Sequence, residues 1–170
     1  MAQKKIERKY LMHFVDAAFD PDGAKTNYVK LGADLEEYNE ELNPSVESKK
    51  NIWGETVVTH SGYEPQSDVD PYYATEGDPL YEKLVEIANE RKAGDSCLTT
   101  VVDLLVDSNK KVLWAYREDA YVVPTSVGGD TSGVQIPFSI HYAGNRVKGT
   151  WTAATKTFTA AAAAQASAKE

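Results

Sequence analysis

The chain has 170 residues, with 18 Lys and Arg against 26 Asp and Glu, a net charge of -8. A single domain of this length buries a working core without staples, and a composition 42% apolar and 26% charged is that of a globular chain, not a disordered or fibrous one. The acidic balance disfavours ordinary binding to phosphate backbones, the lone Cys97 excludes an internal disulfide or a thiolate zinc cage, and no run approaches the ~20 apolar residues of a membrane helix.

A reducing compartment such as a cytoplasm is the simplest reading of one cysteine. The start, Met1 to Ile6, carries basic residues with no apolar stretch behind them, so no secretory signal is expected. Ten tyrosines beside 3 Trp and 4 Phe suit strands and contact surfaces.

In chain order, residues 10–15 predict a first strand, and Asp20-Pro21-Asp22-Gly23 a turn. A second strand is expected from Tyr28 to Leu31. The acidic run holding Asp34, Glu36, Glu37, Glu40 and Glu41 is ambiguous: Leu35, Tyr38 and Leu42 have helical spacing, yet Asn43-Pro44 stops a helix, and strand is preferred. Val46 to Tyr63 reads as strand-like, with a turn or bulge at Asn51-Ile52-Trp53-Gly54. Thr56 to Thr59 are all β-branched, which suits a pleated surface. Another strand follows from Ser67 to Tyr73.

One helix is expected over about 79–92. Asp78 is its N-cap and Pro79 its first residue, Leu80, Leu84 and Ile87 form the apolar stripe, and Gly94 is the expected C-cap. Leu98 to Val106 is nearly all apolar and predicts a central strand, turned at Asp107 to Lys110 and returned over Lys111 to Pro124. A glycine-rich loop, Ser126 to Gly133, precedes a strict alternation from Val134 to Tyr142. Ala143-Gly144-Asn145 then predicts a turn, with Arg146 to Trp151 pairing back and Thr155 to Phe158 as an edge strand. The expected division is one domain over 1–158 and an alanine-rich flexible tail over 159–170. Many strands with short links and one helix give an α+β, mainly β class: an antiparallel two-sheet sandwich or barrel flanked by one α-helix.

The chemistry-bearing patterns have ordinary readings. Asp130-Thr131-Ser132-Gly133 lacks the spacing of an aspartic protease loop and a partner carboxylate. Asp20-x-Asp22-Gly23 lacks the other ligands of a calcium loop. His13, His60 and His141 show no metal-ligand spacing, and Cys97 opens a buried strand with no base beside it. No catalytic and no metal residue is assigned.

Three stretches carry a resemblance. The first is Gly54-Glu55-Thr56 running on to Ser61 to Pro65 and Asp70 to Tyr73. The second is Asp78 to Leu84 leading into Gly94-Asp95-Ser96-Cys97. The third is Ala115 to Asp119, then Gly128 to Gly133 and Gly144 to Thr150. Their order over residues 10–158 resembles the tail tube (major tail) proteins of long-tailed bacteriophages. The resemblance implies two antiparallel sheets flanked by a helix, no cofactor and no enzymatic reaction. It implies homohexameric rings stacked into a hollow tube through which DNA passes, with tape-measure, tail terminator and initiator proteins as partners and no membrane. The location implied is the virion tail, with assembly in the host cytoplasm. Related tubes of phage-tail-like bacteriocins and secretion machines are the alternative, and the segment around Asn51 becomes a candidate for reaching a neighbouring ring.

On that footing the bore should offer negative charge so that DNA slides without sticking. Glu37, Glu41, Glu47 and Glu55 are lumen-facing candidates, against the reading that they form a solvated outer face. Trp53, Tyr72 and Tyr73 are candidates for contact between subunits, against burial within the subunit. A monomeric β-sandwich carbohydrate-binding module and a small hydrolase are the readings from other classes.

Overall fold

The computed structural model describes residues 3–161. Its centre is an antiparallel sheet of seven strands that curls into a half-barrel. The strands are β1 (Leu11–Asp16), β2 (Tyr28–Lys30), β5 (Gln66–Val69), β6 (Leu98–Val106), β7 (Val112–Pro124), β10 (Phe138–Thr152) and β11 (Thr157–Ala160). Their order is β11-β10-β7-β6-β1-β2, and β5 lies beside the start of β10. Two separate hairpins complete the strands: β3 (Pro44–Lys50) with β4 (Thr56–Tyr63), and β8 (Gly128–Asp130) with β9 (Gly133–Gln135). The mainly β, antiparallel fold with one helix is the class expected.

Alternation along the strands builds two cores, one on each face of the sheet. Val15, Val101, Val122, Phe138 and Ile140 point to the face covered by helix α1 (Pro79–Glu90), where Leu80 and Leu84 are fully buried. Their neighbours Phe14 and Val102 point the other way, onto Tyr28, Leu104, Trp151 and Phe158. β6 is apolar on both faces for that reason, and it is the central strand its sequence predicts. Gly149 lets β11 close on β10: a Cβ there would lie 2.2 Å from the Thr159 carbonyl oxygen and 2.5 Å from the Phe158 ring.

The helix begins as expected, with Asp78 accepting from the Leu80 amide at 3.0 Å. Its end differs. Arg91, at φ 52°, turns left-handed, and the Lys92 amide closes onto the Ile87 carbonyl at 3.0 Å, while Gly94 opens the 3-10 turn Gly94–Cys97. The closing bond satisfies a terminal carbonyl, as at helix ends that turn left-handed, and Lys92 pairs back to Glu86 and Glu90.

Five other expectations are corrected. The acidic run is neither strand nor helix; between β2 and β3 it is a loop that meets the sheet through one bridge, Glu41 to Gln66. The strand expected over Ser67 to Tyr73 ends at Val69, before Pro71, which has no amide to donate. The alternation from Val134 to Tyr142 is split at Ile136-Pro137, again by the missing proline donor, and the glycine-rich loop before it folds as the β8–β9 hairpin. Ala143-Gly144-Asn145 is not a turn. β10 runs through it as two bulges against β7, because Gly144 at φ 92° and Asn145 at φ 57° tolerate in a bulge the conformations they tolerate in a turn. β11 takes in Thr159 and Ala160, and the alanine-rich segment from 162 on lies outside the described residues.

Candidate assembly arm and the polar cluster at its base

β3 and β4 pair only with one another among the described residues, and every one of their residues except the half-buried Gly62 is exposed. This arm grows from the main sheet. Glu41 and Gln66 exchange both backbone bonds at 2.8 and 2.9 Å, Glu64 donates to Leu42 at 3.1 Å, and the ladder continues through Pro44 opposite Tyr63. At the tip, Asn51 organises the reversal: its Oδ1 accepts from the Trp53 and Glu55 amides, both at 3.0 Å, and Gly54 takes φ 79°. That leaves Ile52 97% and Trp53 79% exposed.

Register divides the arm into two faces. Val46 opposes His60 and Ser48 opposes Val58, and with Tyr63 they line one apolar face, where the His60 and Tyr63 rings meet edge to face at 4.7 Å. The other face carries Glu47 with Lys49 at 3.2 Å, Thr59 and Val57. An isolated two-stranded hairpin is marginally stable in water, and apolar surface of this extent is uncommon on a monomer.

At its base lies a partly buried polar cluster, in which His13, Tyr38, Asp103 and Glu118 are buried and the arginines Arg8 and Arg146 are exposed. Arg8 donates to His13 Nε2 at 3.0 Å and to the Tyr38 carbonyl at 3.1 Å, while His13 Nδ1 meets Asp103 at 2.5 Å. Because arginine only donates, Nε2 must accept, and the proton sits on Nδ1, donated to Asp103. Arg146 bridges Glu118 at 3.0 Å and Glu40 at 3.9 Å, and lies 4.6 Å over the Tyr116 ring. Tyr38 stacks on His13 at 4.4 Å and its hydroxyl meets Tyr142 at 3.3 Å; burial pushes its phenol up to about 12. A groove of about 740 Å³ opens here between Leu42, Tyr63, Tyr142 and Arg146.

The sequence candidates fall on two elements. Glu47 and Glu55 are exposed on the arm, Glu55 accepting from Asn51 Nδ2 at 3.1 Å. Glu37 and Glu41 are exposed on the loop that leads to it. Trp53 stands free at the tip. Tyr72 is engaged inside the subunit, its ring 5.2 Å from Phe138 and its hydroxyl donating to Asp78 at 2.6 Å; Tyr73 is half-buried beside Gly133. The histidines stay apart: His13 in the cluster, His60 on the arm, and His141 on β10, 3.0 Å from Ser139. Cys97 is buried, and burial pushes its thiol up.

Sequence reasoning missed the apolar face of the arm and the whole cluster. The run Thr56 to Thr59 signals a strand but not which side is left uncovered. The cluster joins residues from 8 to 146 that only the sheet brings together.

No known family model matches the sequence, and no curated protein matches it. Solved structures do. The chain superposes on the sheath/tube terminator of an extracellular contractile injection system (PVC, extended state) with a TM-score of 0.56, at 8% identity, over 88% of this chain and 100% of that one. It superposes on the tube-terminating cap of the anti-feeding prophage with a TM-score of 0.54, at 11% identity, over 88% of this chain and 94% of that one. The chain shares the fold of these terminators. At such identities the likeness is one of fold.

Proposed function

We propose that this protein is a structural subunit of a phage-tail-like tube, assembling as homohexameric rings that build the tube or close its end. Support comes from the shared fold with two tube terminators, and above all from the arm. A hairpin that holds Ile52, Trp53, Val58 and Tyr63 in solvent needs a partner surface, and in a ring each copy can supply one to the next. Full burial of Ile52 alone contributes about 1.5–3 kcal/mol, and Trp53 more, which offsets part of the cost of association between copies. Strands joined between copies also leave no open edge to template aggregation. In this reading the tube carries DNA past an acidic bore, the partners are tape-measure, terminator and initiator proteins, and the place of action is the tail of a virion or related particle.

The carbohydrate-binding reading needs neighbouring exposed rings. Trp53 and Tyr63 are the exposed aromatic residues among those described, and they stand at the tip and base of the arm, ~25 Å apart at ~3.3 Å per strand residue.

Electron microscopy with sedimentation of the purified chain tests the proposal. Rings or tubes are expected, long tubes marking a tube-body subunit and single rings a terminator. Replacing both Ile52 and Trp53 with Asp should abolish assembly while changing subunit stability by less than about 0.5 kcal/mol, as exposed positions do. A wild-type chain that stays monomeric at high concentration and with a tail initiator present defeats the proposal.

A further inference from the structure

Arg8 opens the N-terminal 3-10 turn (Arg8–Tyr10), which buries none of its own residues and so owes its attachment to bonds rather than packing. The guanidinium makes three of them. Nη1 donates to the Leu11 carbonyl at 2.7 Å, and Nη2 donates both to His13 Nε2 at 3.0 Å and to the Tyr38 carbonyl at 3.1 Å. One side chain thus ties the turn to β1 and to the loop between β2 and β3 that leads to the arm. Two of its acceptors are carbonyl oxygens and hold at any pH. The third is an imidazole nitrogen, which accepts only while it carries no proton.

The groups around His13 come from every element packed there. β6 supplies Asp103, which takes the Nδ1 proton at 2.5 Å. The loop supplies Tyr38, whose ring lies 4.4 Å from the imidazole, and Tyr142 of β10 stands behind it with 3.3 Å between the hydroxyls. Lys9 of the turn, Lys30 of β2, and Glu36 and Glu37 of the loop line the cavity of about 510 Å³ that His13 also lines. Lys9 is taken up by Glu7 at 2.6 Å, and Glu37 accepts from Asn39 at 2.7 Å. Asp103 holds the Nδ1–H whatever the charge of the ring, so a second proton arrives at Nε2, where Arg8 stands. Two donors then face each other across 3.0 Å. Turning Nη2 away from Nε2 also gives up Tyr38, because the same nitrogen serves both.

We infer that His13 is an acid-operated catch between the N-terminal turn and the approach loop of the arm: neutral, it holds the Arg8 guanidinium in place, and a proton on Nε2 drives the guanidinium off and cuts the tie to Tyr38. The sign follows. The fastened state binds one proton fewer than the released one, so it is complete on the alkaline side of the His13 titration and is lost as pH falls through it. The bond from Nη1 to Leu11 involves no titrating acceptor, so the start of β1 keeps its place. The inference concerns the single subunit and stands apart from whether rings form.

Nitrogen-15 NMR of the full chain tests it between about pH 8 and about pH 5, the interval in which histidine side chains change charge. Shifts of the His13 ring nitrogens report its tautomer and charge, and relaxation of the Arg8 Nε–H reports the freedom of the guanidinium. In the wild type the Arg8 order parameter should fall from about 0.85 to below about 0.6 on acidification, with the same midpoint as proton uptake at His13 Nε2. His13→Gln, whose Oε1 accepts from Arg8 at every pH, should hold the order parameter high throughout. A ring that stays neutral across the interval, an Arg8 that stays rigid while the ring takes up its proton, or the same fall in the variant overturns the catch. Should the variant fail to fold, the two wild-type midpoints decide: coincidence supports the catch, and separation overturns it.

Discussion

Asp16, at the end of β1, is fully buried, and one side of its carboxyl organises the loop behind it. Oδ1 accepts from the Ala18 amide at 3.0 Å and the Asn27 amide at 2.8 Å, while Oδ2 has no partner among the described residues. Burial is the leading cause that pushes its carboxyl up, so the folded state holds its proton more tightly than the unfolded chain. This contribution to stability is complete below the ordinary value of 3.8 and declines as pH rises through the raised one. Asp16→Asn keeps the Oδ1 acceptor and removes the charge, and its denaturation midpoint should therefore fall less than the wild type's between about pH 4 and about pH 7. Asp16→Ala strands two backbone donors and should cost about 1–3 kcal/mol in urea denaturation. Nothing in the string Val15-Asp16-Ala17 announces this, because the Asn27 amide arrives only when the strand pairs back. The buried contact between His13 and Asp103 was hidden for the same reason, 90 positions apart in the chain.

The helix was legible because its signals are local. Asp78, Pro79 and the stripe Leu80, Leu84 and Ile87 lie within ten residues. Its connection to the sheet was not. Asp78 also accepts from the Tyr72 hydroxyl, and burial and that contact push the Tyr72 phenol well up. Asp78→Ala should lose the cap and orphan the hydroxyl, at about 2 kcal/mol, with Asp78→Asn recovering most of it; urea denaturation reads both. The strands show the same division. β-branched composition predicted β4, and apolar continuity predicted β6, but composition cannot separate a strand buried on both faces from one that stands in solvent. The bulges of β10 mimicked a turn because glycine and asparagine serve both, and only the 13-residue partner β7 decides that the strand continues.

Across the whole molecule, charge bears on the proposed role. A net charge of -8 repels phosphate, and in a ring the repulsion is useful where it faces the bore. Glu37 and Glu41 are our bore candidates on the approach loop, and Glu47 and Glu55 on the arm. Replacing Glu37 and Glu41 together with Lys should slow DNA ejection from assembled particles more at low salt than at high; an unchanged rate places both residues outside the bore. Residue order alone settled the class of the fold, the helix, the central strand and the turn at Asn51, since each depends on neighbours a few positions apart. Tertiary structure decided which strand pair would stand away from the core, which aromatic ring would turn inward, and which polar side chains would be brought together. Those outcomes depend on long-range register, and register is set when distant strands meet.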